Sequence, residues 1–212
     1  MTNQTMQITC PACCTEQSFK TCPNIDVKSD PEVKESIFNR DIFRFICPEC
    51  GEEILVAYNC TYIDRDNNFM VALITNGEAA NITAADYTLR IVRSIIEFVE
   101  KIALMEDGVD DRIVELYKIM LEDQFEEERQ GVELLGIYYG GQDFEKKQLV
   151  FYIITGNAEN VRAILSFDTY EAIAKQFDAN PELAKPCSEI NRLWAIGTLQ
   201  SGFADEKSED NE

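Results

Sequence analysis

The 212-residue sequence contains no histidine. This absence excludes Ser-His-Asp and Cys-His nucleophilic catalysis, histidine-containing zinc sites and the side chain that most often moves protons near neutral pH. It also excludes carboxylate-bridged di-metal bundles, which need a Glu-x-x-His pair on a helix. An enzyme built from this chain would need other catalytic groups, such as carboxylates or tyrosines.

Long apolar runs and basic residues are also scarce. No apolar run approaches the roughly 20 residues of a transmembrane helix, and the opening "MTNQTMQ" lacks the basic and apolar regions of a signal peptide. We therefore expect no membrane association and a cytoplasmic location, where thiols stay reduced or metal-bound. Lysine and arginine number 19 against 39 acidic residues, and the net charge of −20 is spread along the chain. Because lysine and arginine neutralise nucleic-acid phosphates, we expect no nucleic-acid partner.

Four of the eight cysteines occur in two Cys-Pro-x-Cys motifs, "CPAC" and "CPEC". Two residues between ligands let a tight turn point both sulfur atoms at one metal, and two such turns complete a tetrahedral four-thiolate site. The spacing therefore predicts a structural Zn²⁺ held by Cys10, Cys13, Cys47 and Cys50. An iron–sulfur centre, a redox-active cysteine pair and buried cysteines without metal remain open as alternatives.

The residue after each motif differs. Gly51 follows the second motif and is expected to supply the positive φ that closes the turn. Cys14 holds the matching place in the first motif, where a positive φ costs about 1–2 kcal/mol, a strain that a structural zinc worth roughly 10–16 kcal/mol can carry. Cys14 is interpreted as a tolerated substitution, with a stand-in ligand or an oxidation-sensitive neighbour as alternatives. For Cys22, Cys60 and Cys187 we expect the role of small buried apolar residues.

The hydrophobic patterns predict an α+β protein. Apolar runs and turn residues predict a zinc-ribbon-like antiparallel β module over residues 1–78, with a short helix inserted between the cysteine pairs. Residues 79–130 predict an antiparallel helical hairpin, broken at Gly108, which we expect to pack with the β module. Its first helix is expected to start near Tyr87 and to bury one stripe: Leu89, Val92, Ile96, Val99 and Ala103. The residues expected to face inward on its second helix are Ile113, Val114, Tyr117, Met120, Leu121 and Phe125.

The remainder of the chain has a different pattern. The runs "VELLGIYY" and "QLVFYIIT" predict a C-terminal β-hairpin, followed by a strand in "VRAILSF" and a helix, within an α+β part over residues 131–200. Residues 201–212 are predicted to be a disordered acidic tail.

With these motifs in place, the sequence resembles the CpXC family, bacterial and archaeal proteins named for two Cys-Pro-x-Cys motifs. The matching stretches cover about residues 8–130: "ITCPAC", "SDPEVKESIFNRDIFRFICPECG", "AYNCTYIDRDNNFM" and "LRIVRSIIEFVEKIALMEDGVDDRIVELYK". The resemblance implies that the paired cysteines are Cys10, Cys13, Cys47 and Cys50. Position 14 departs from the family's pattern, with cysteine in place of glycine. The family has no established activity, so the resemblance adds no reaction.

The sequence favours a zinc-binding protein that acts as a protein-interaction module. We expect an unidentified protein partner and allow for a homo-oligomer. No catalytic residue and no organic cofactor are assigned. Two alternatives stay open: an enzyme with a carboxylate- or tyrosine-based site in residues 131–200, and a thiol redox or metal sensor that uses Cys14.

Overall fold

The computed structural model describes residues 2–77, 86–157, 160–179 and 186–202. Within these ranges the chain is a mixed α+β protein with five α-helices and three β-sheets. It divides into two compact units, residues 1–102 and residues 103–212, which are described separately. The domain boundaries expected at residues 78 and 130 stay predictions, and residues 203–212 of the expected tail lie outside the described part. None of the described helices combines the length and apolar character needed to cross a membrane.

The described residues of the first unit, 2–77 and 86–102, contain seven strands. They are β1 (Thr2–Thr9), β2 (Glu16–Asp26), β3 (Arg44–Ile46), β4 (Glu53–Leu55), β5 (Cys60–Asp64), β6 (Phe69–Leu73) and β7 (Thr88–Val92). Helix α1 (Val33–Phe38) and a one-turn 3₁₀ helix (Asp41–Phe43) separate β2 from β3, and α2 (Ile95–Glu106) follows β7. Five strands form a sheet in the order β1-β2-β5-β6-β7, and β3 and β4 form a separate ribbon.

The main sheet of the first unit is mixed, so the prediction of an antiparallel module over residues 1–78 is wrong for the β2–β5 pair. The pairs β1–β2 and β5–β6 are antiparallel, whereas β2–β5 and β6–β7 are parallel. Short loops join the antiparallel partners, including the predicted turn in which the Asp64 carboxylate accepts hydrogen bonds from the Asp66 and Asn67 N–H groups. The parallel partners are joined by long connections, which parallel pairing requires.

The predicted start of the first long helix is also wrong, because residues 88–92 form β7 and α2 begins only at Ile95. A capping box fixes this boundary. The Ser94 hydroxyl accepts a hydrogen bond from the Glu97 N–H at 3.2 Å, and the Glu97 carboxylate accepts one from the Ser94 N–H at 3.1 Å. Leu89 and Val92 therefore belong to the sheet and not to a helical stripe.

An aromatic cluster links the antiparallel β1–β2 pair of the main sheet to the β3–β4 ribbon. Phe19 of β2 meets Phe45 of β3 edge to face, with ring centroids 6.1 Å apart, and Tyr58 packs against both Phe19 and Phe43. The Tyr58 hydroxyl donates to the Ile42 carbonyl and accepts from the Cys22 N–H, both at 3.1 Å. These ring contacts and hydrogen bonds hold β2 beside β3.

The second unit contains one antiparallel sheet and three helices. Its elements are α3 (Asp111–Glu128), β8 (Leu134–Asp143), β9 (Gln148–Thr155), β10 (Asn160–Ser166), α4 (Phe167–Ala179) and α5 (Arg192–Gly202). The strand order is β10-β9-β8. The strands predicted after residue 131 are present, and Asp110 caps α3 by accepting a hydrogen bond from the Arg112 N–H at 2.9 Å.

Helix α3 packs on two sides. Val114, Leu121 and Phe125 join the core formed with the sheet, as predicted. A second set of α3 residues packs against α4 and α5: Ile113, Leu116 and Ile119. Met120, predicted to face inward, is 57% exposed. The prediction that Met120 faces inward is therefore wrong, because the buried faces of α3 are those against the sheet and against α4 and α5.

Candidate metal centre

Two hairpin loops of the same length carry the four paired cysteines. Thr9 pairs with Glu16 at the end of the β1–β2 ribbon, and Ile46 pairs with Glu53 at the end of the β3–β4 ribbon. Each loop therefore contains six residues, 10–15 and 47–52. The first residue of each loop is the first cysteine of its motif, so the two motifs occupy equivalent positions.

The two loops also share a hydrogen-bonding pattern. In the first, the Cys14 N–H donates to the Cys10 carbonyl at 2.9 Å and the Cys10 N–H donates to the Thr15 carbonyl at 3.0 Å. In the second, Gly51 donates to Cys47 at 2.9 Å and Cys47 donates to the Glu52 carbonyl at 2.8 Å. Each loop is thus a closed turn whose two cysteines project to the same side.

The four sulfur atoms meet in one cluster. All four Sγ atoms lie within 4.8 Å of one another, with 3.6 Å between Cys10 and Cys50 and 3.7 Å between Cys13 and Cys47. A tetrahedral zinc with Zn–S distances of about 2.3 Å separates its sulfur atoms by about 3.8 Å. The cysteines are not joined in disulfides. The spacing of the cluster therefore fits a tetrahedral metal ion.

Hydrogen bonds inside the loops favour thiolates at two of the cysteines. The Thr15 hydroxyl, 2.9 Å from the Cys13 sulfur, and the Thr15 N–H lower the pKa of Cys13 to about 6. Burial alone would raise the pKa of Cys47, but the N–H groups of Cys50 and Glu49 hold it below its ordinary value. These donors stabilise negative charge on sulfur.

Cys50 shows the opposite shift. A hydrogen bond from the Glu52 N–H lowers its pKa, but desolvation and the three neighbouring sulfur atoms raise it to about 12. Sulfur atoms this close cannot all become thiolates unless a cation shares the site, because like charges raise one another's pKa. A bound divalent cation supplies the compensating charge.

Thr15 was not assigned a role from the sequence. Its hydroxyl is 2.9 Å from the Cys13 sulfur and 4.0 Å from that of Cys47. The second loop has Glu52 at the matching place, so this hydroxyl contact belongs to the first loop only. A threonine two residues after the second cysteine of the first motif is the signal that could have indicated it.

Cys14 adopts the conformation expected from its position. Its φ is +60°, close to the +76° of Gly51, and its side chain is exposed and outside the cluster. The other three cysteines lie elsewhere. Cys60 is buried and donates its thiol hydrogen to the Cys22 carbonyl at 3.0 Å, whereas Cys22 and Cys187 are only partly buried.

The CpXC protein family model matches residues 8–118, just over half of the chain, and includes all four clustered cysteines. The chain belongs to the CpXC family. The resemblance predicted from the sequence is thus confirmed, although the match ends inside α3, before residue 130. No curated protein and no solved structure gives a significant match to the chain.

The positive φ of Cys14 leads to a prediction about the stability of this CpXC protein. Replacing Cys14 with glycine should relieve a left-handed strain of about 1–2 kcal/mol, partly offset by the greater entropy of glycine in the unfolded chain, about 0.5–1 kcal/mol. We expect a modest gain in unfolding free energy with unchanged metal content, measured by denaturant titration and elemental analysis. Cys14→Ala, which keeps the strain and loses the thiol, is the control. Equal stabilities of the two variants would contradict the strain argument.

Proposed function

We propose that this protein is a zinc-binding protein whose four-cysteine site is structural, and that it acts in the cytoplasm as a protein-interaction module. One observation carries the proposal: two six-residue loops with the same hydrogen bonds bring four Sγ atoms within 4.8 Å of one another. Cys10, Cys13, Cys47 and Cys50 are the proposed ligands. Each loop joins two antiparallel strands, β1 to β2 and β3 to β4, which supports a zinc-ribbon-like arrangement of the metal site.

A structural role for the metal follows from the number of ligands. Four thiolates complete the tetrahedral coordination of zinc, whereas catalytic zinc keeps one position for water or substrate. Bound zinc would hold the β1–β2 and β3–β4 loops together and neutralise the sulfur charges. The same four thiolates also fit a four-cysteine iron centre, and metal analysis distinguishes the two.

An interaction role is supported by the surface beside the site. Ile46 and Leu55 lie on the same face of the β3–β4 ribbon, and their exposed fractions are 58% and 45%. Ile46 directly precedes the ligand Cys47. Together with the net charge of −20, which disfavours nucleic acid, these apolar side chains support a protein as the partner.

Elemental analysis and absorbance spectroscopy of the purified full chain test the proposal. We expect about one zinc per chain, and a colourless protein, because a zinc–thiolate site has no visible absorbance. A visible absorbance band with stoichiometric iron would replace zinc by an iron centre. A protein purified without any metal, and unchanged in stability by added zinc, would contradict the metal site altogether.

A further inference from the structure

The sheet of the second unit has two edges that differ in regularity. Edge strand β8 carries two register shifts, between Leu134 and Gly136 and between Tyr139 and Gly141. Edge strand β10 pairs with β9 through seven consecutive residues without a shift and contains no proline or lysine. Bulges, prolines and lysines are the usual devices that protect an edge from pairing with another strand. The β8 edge has two bulges, whereas β10 has no bulge, proline or lysine and carries one charged residue, Arg162.

Two hydrogen bonds establish which backbone groups of β10 face its open edge. The Phe167 N–H donates to the Lys147 carbonyl at 2.8 Å, so odd-numbered residues point toward β9. The Ile164 carbonyl accepts instead from the Tyr117 hydroxyl at 2.6 Å, on the other side. Because backbone direction alternates in an antiparallel ladder, the N–H and C=O of Arg162 and the N–H of Ile164 point away from β9. These three groups can pair with one more strand, whose fourth hydrogen bond, to the Ile164 carbonyl, would have to replace that of the Tyr117 hydroxyl.

A groove of about 320 Å³ runs beside this open edge, between α3 and β10. Leu121 and Phe125 of α3 form its apolar part, and Arg129 of α3 adds a basic group. Arg162 of β10 borders the groove, but its side chain alternates to the face opposite the core-facing residues Val161 and Ala163. The volume is at the lower end of the roughly 300–1,000 Å³ typical of ligand pockets. A strand added to β10 would place every second side chain in this groove.

Arg162, on the edge strand itself, favours an acidic residue opposite it on an added strand, in spite of the net charge of −20. Charges farther than about 8 Å are largely screened at physiological ionic strength, so the nearest groups decide. Glu128, the acidic residue in the groove lining, accepts a hydrogen bond from the Gln124 amide at 2.8 Å. Arg162 has a half-exposed side chain and forms an ion pair with the Asp143 carboxylate at a nitrogen–oxygen distance of 3.9 Å, which is long for such a pair. A carboxylate opposite Arg162 on an added strand would form a favourable cross-strand pair.

We propose that the edge of β10 and the adjoining groove bind an extended segment of a partner protein, which adds as a strand to the sheet. Its apolar side chains face Leu121 and Phe125, and its carboxylates lie on the opposite face near Arg162. This mode is β-strand addition, in which the backbone gives affinity and alternate side chains give specificity. The inference deepens the interaction role proposed above, and it is independent of the metal because the groove lies wholly in the second unit.

A second copy of the chain fits the edge less well. Antiparallel pairing of two β10 strands would bring Arg162 close to the same arginine of the other copy, and like charges across a strand pair are destabilising. Each copy also carries a net charge of −20, which opposes association. These charges favour a separate acidic peptide segment over self-association.

The test uses the full chain and a fluorescein-labelled eight-residue peptide in which valine alternates with glutamate, with binding measured by fluorescence anisotropy. We expect saturable binding that weakens about fivefold when lysine replaces the glutamates, and about tenfold or more when alternate peptide nitrogens are methylated to remove backbone donors. Ile164→Pro removes an outward N–H and should weaken binding about tenfold. Ile164→Ala keeps the N–H and is the matched control, and circular dichroism checks the fold of both.

Three results would overturn the proposal. The first is the absence of saturable binding at millimolar peptide concentration. The second is equal affinity for the methylated peptide, a result obtained with wild-type protein and so independent of variant folding. The third is a two-chain mass by light scattering that becomes one chain in Ile164→Pro, which would assign the edge to a second copy. Zinc content of the same samples tests the metal site separately, so failure of the groove and failure of the site are distinguishable.

Discussion

Replacing Cys47 with serine is expected to abolish stoichiometric zinc binding and to destabilise the first unit by several kcal/mol. Structural zinc contributes roughly 10–16 kcal/mol in small zinc domains, while whole domains are stable by only about 5–15 kcal/mol. A serine hydroxyl is a poor replacement for a thiolate, and the remaining three sulfur atoms leave the tetrahedron incomplete. Without the cation, the closely packed sulfur groups must also take up protons, because their thiolate charges would repel one another.

The aromatic cluster determines how far this damage spreads. Phe19 and Phe45 still hold the two ribbons together without metal, so the loops should lose their order first. Amide hydrogen exchange is the suitable measurement, because it reports local opening residue by residue. We expect fast exchange at residues 10–15 and 47–52 in the variant, a lower unfolding free energy for residues 1–102, and unchanged exchange for the core strand β9 of the second unit.

Cys14→Ser is the matched control for Cys47→Ser. It removes an exposed thiol at positive φ outside the cluster and should retain about one zinc per chain with wild-type exchange. If Cys14→Ser lost the metal and Cys47→Ser retained it, Cys14 would be a ligand and the assignment based on the two motifs would be wrong. Retention of zinc by both variants would remove Cys47 from the site.

The placement of the four cysteines could be predicted from the sequence because it depends on local geometry. Two residues between cysteines and a six-residue loop nearly fix where the sulfur atoms point, and the positive φ at Gly51 and Cys14 follows from closing that loop. The parallel pairing of β2 with β5 could not be predicted in the same way. It depends on where the chain returns after a long connection, and no local pattern encodes that return.

The errors in the helical region have a different cause. Residues 88–92 fit both a helical stripe and a strand, and the Ser94–Glu97 capping box that separates strand from helix was visible in the sequence. The second buried face of α3 was not visible, because it depends on α4 and α5 packing against this helix. Assigning a short apolar run to a strand or a helix, or to a buried face, thus required either a capping signal or knowledge of the elements that pack against it.

The role of Thr15 depends on a side-chain contact and leads to the second large effect. Thr15→Val keeps the shape of the side chain but removes the hydroxyl 2.9 Å from the Cys13 sulfur. Loss of such an outer hydrogen bond typically weakens metal binding about 10–100-fold. We expect at least a tenfold lower zinc affinity, measured by competition with a chelator, while Thr15→Ser, which retains the hydroxyl, should remain close to wild type.

The same substitution should change the pH at which zinc is released. The hydroxyl helps to lower the pKa of Cys13 to about 6, below its ordinary value, so the thiolate persists as the pH falls. Without the hydroxyl the pKa of Cys13 rises, protons compete for its sulfur at higher pH, and zinc should be released at a higher pH than in wild type. If the pH midpoint of zinc release were the same in wild type, Thr15→Val and Thr15→Ser, the backbone N–H groups alone would stabilise the thiolates. The second loop has Glu52 at the matching place and so lacks this hydroxyl. A higher release midpoint in Thr15→Val would therefore be assigned to weaker metal contacts in the first loop.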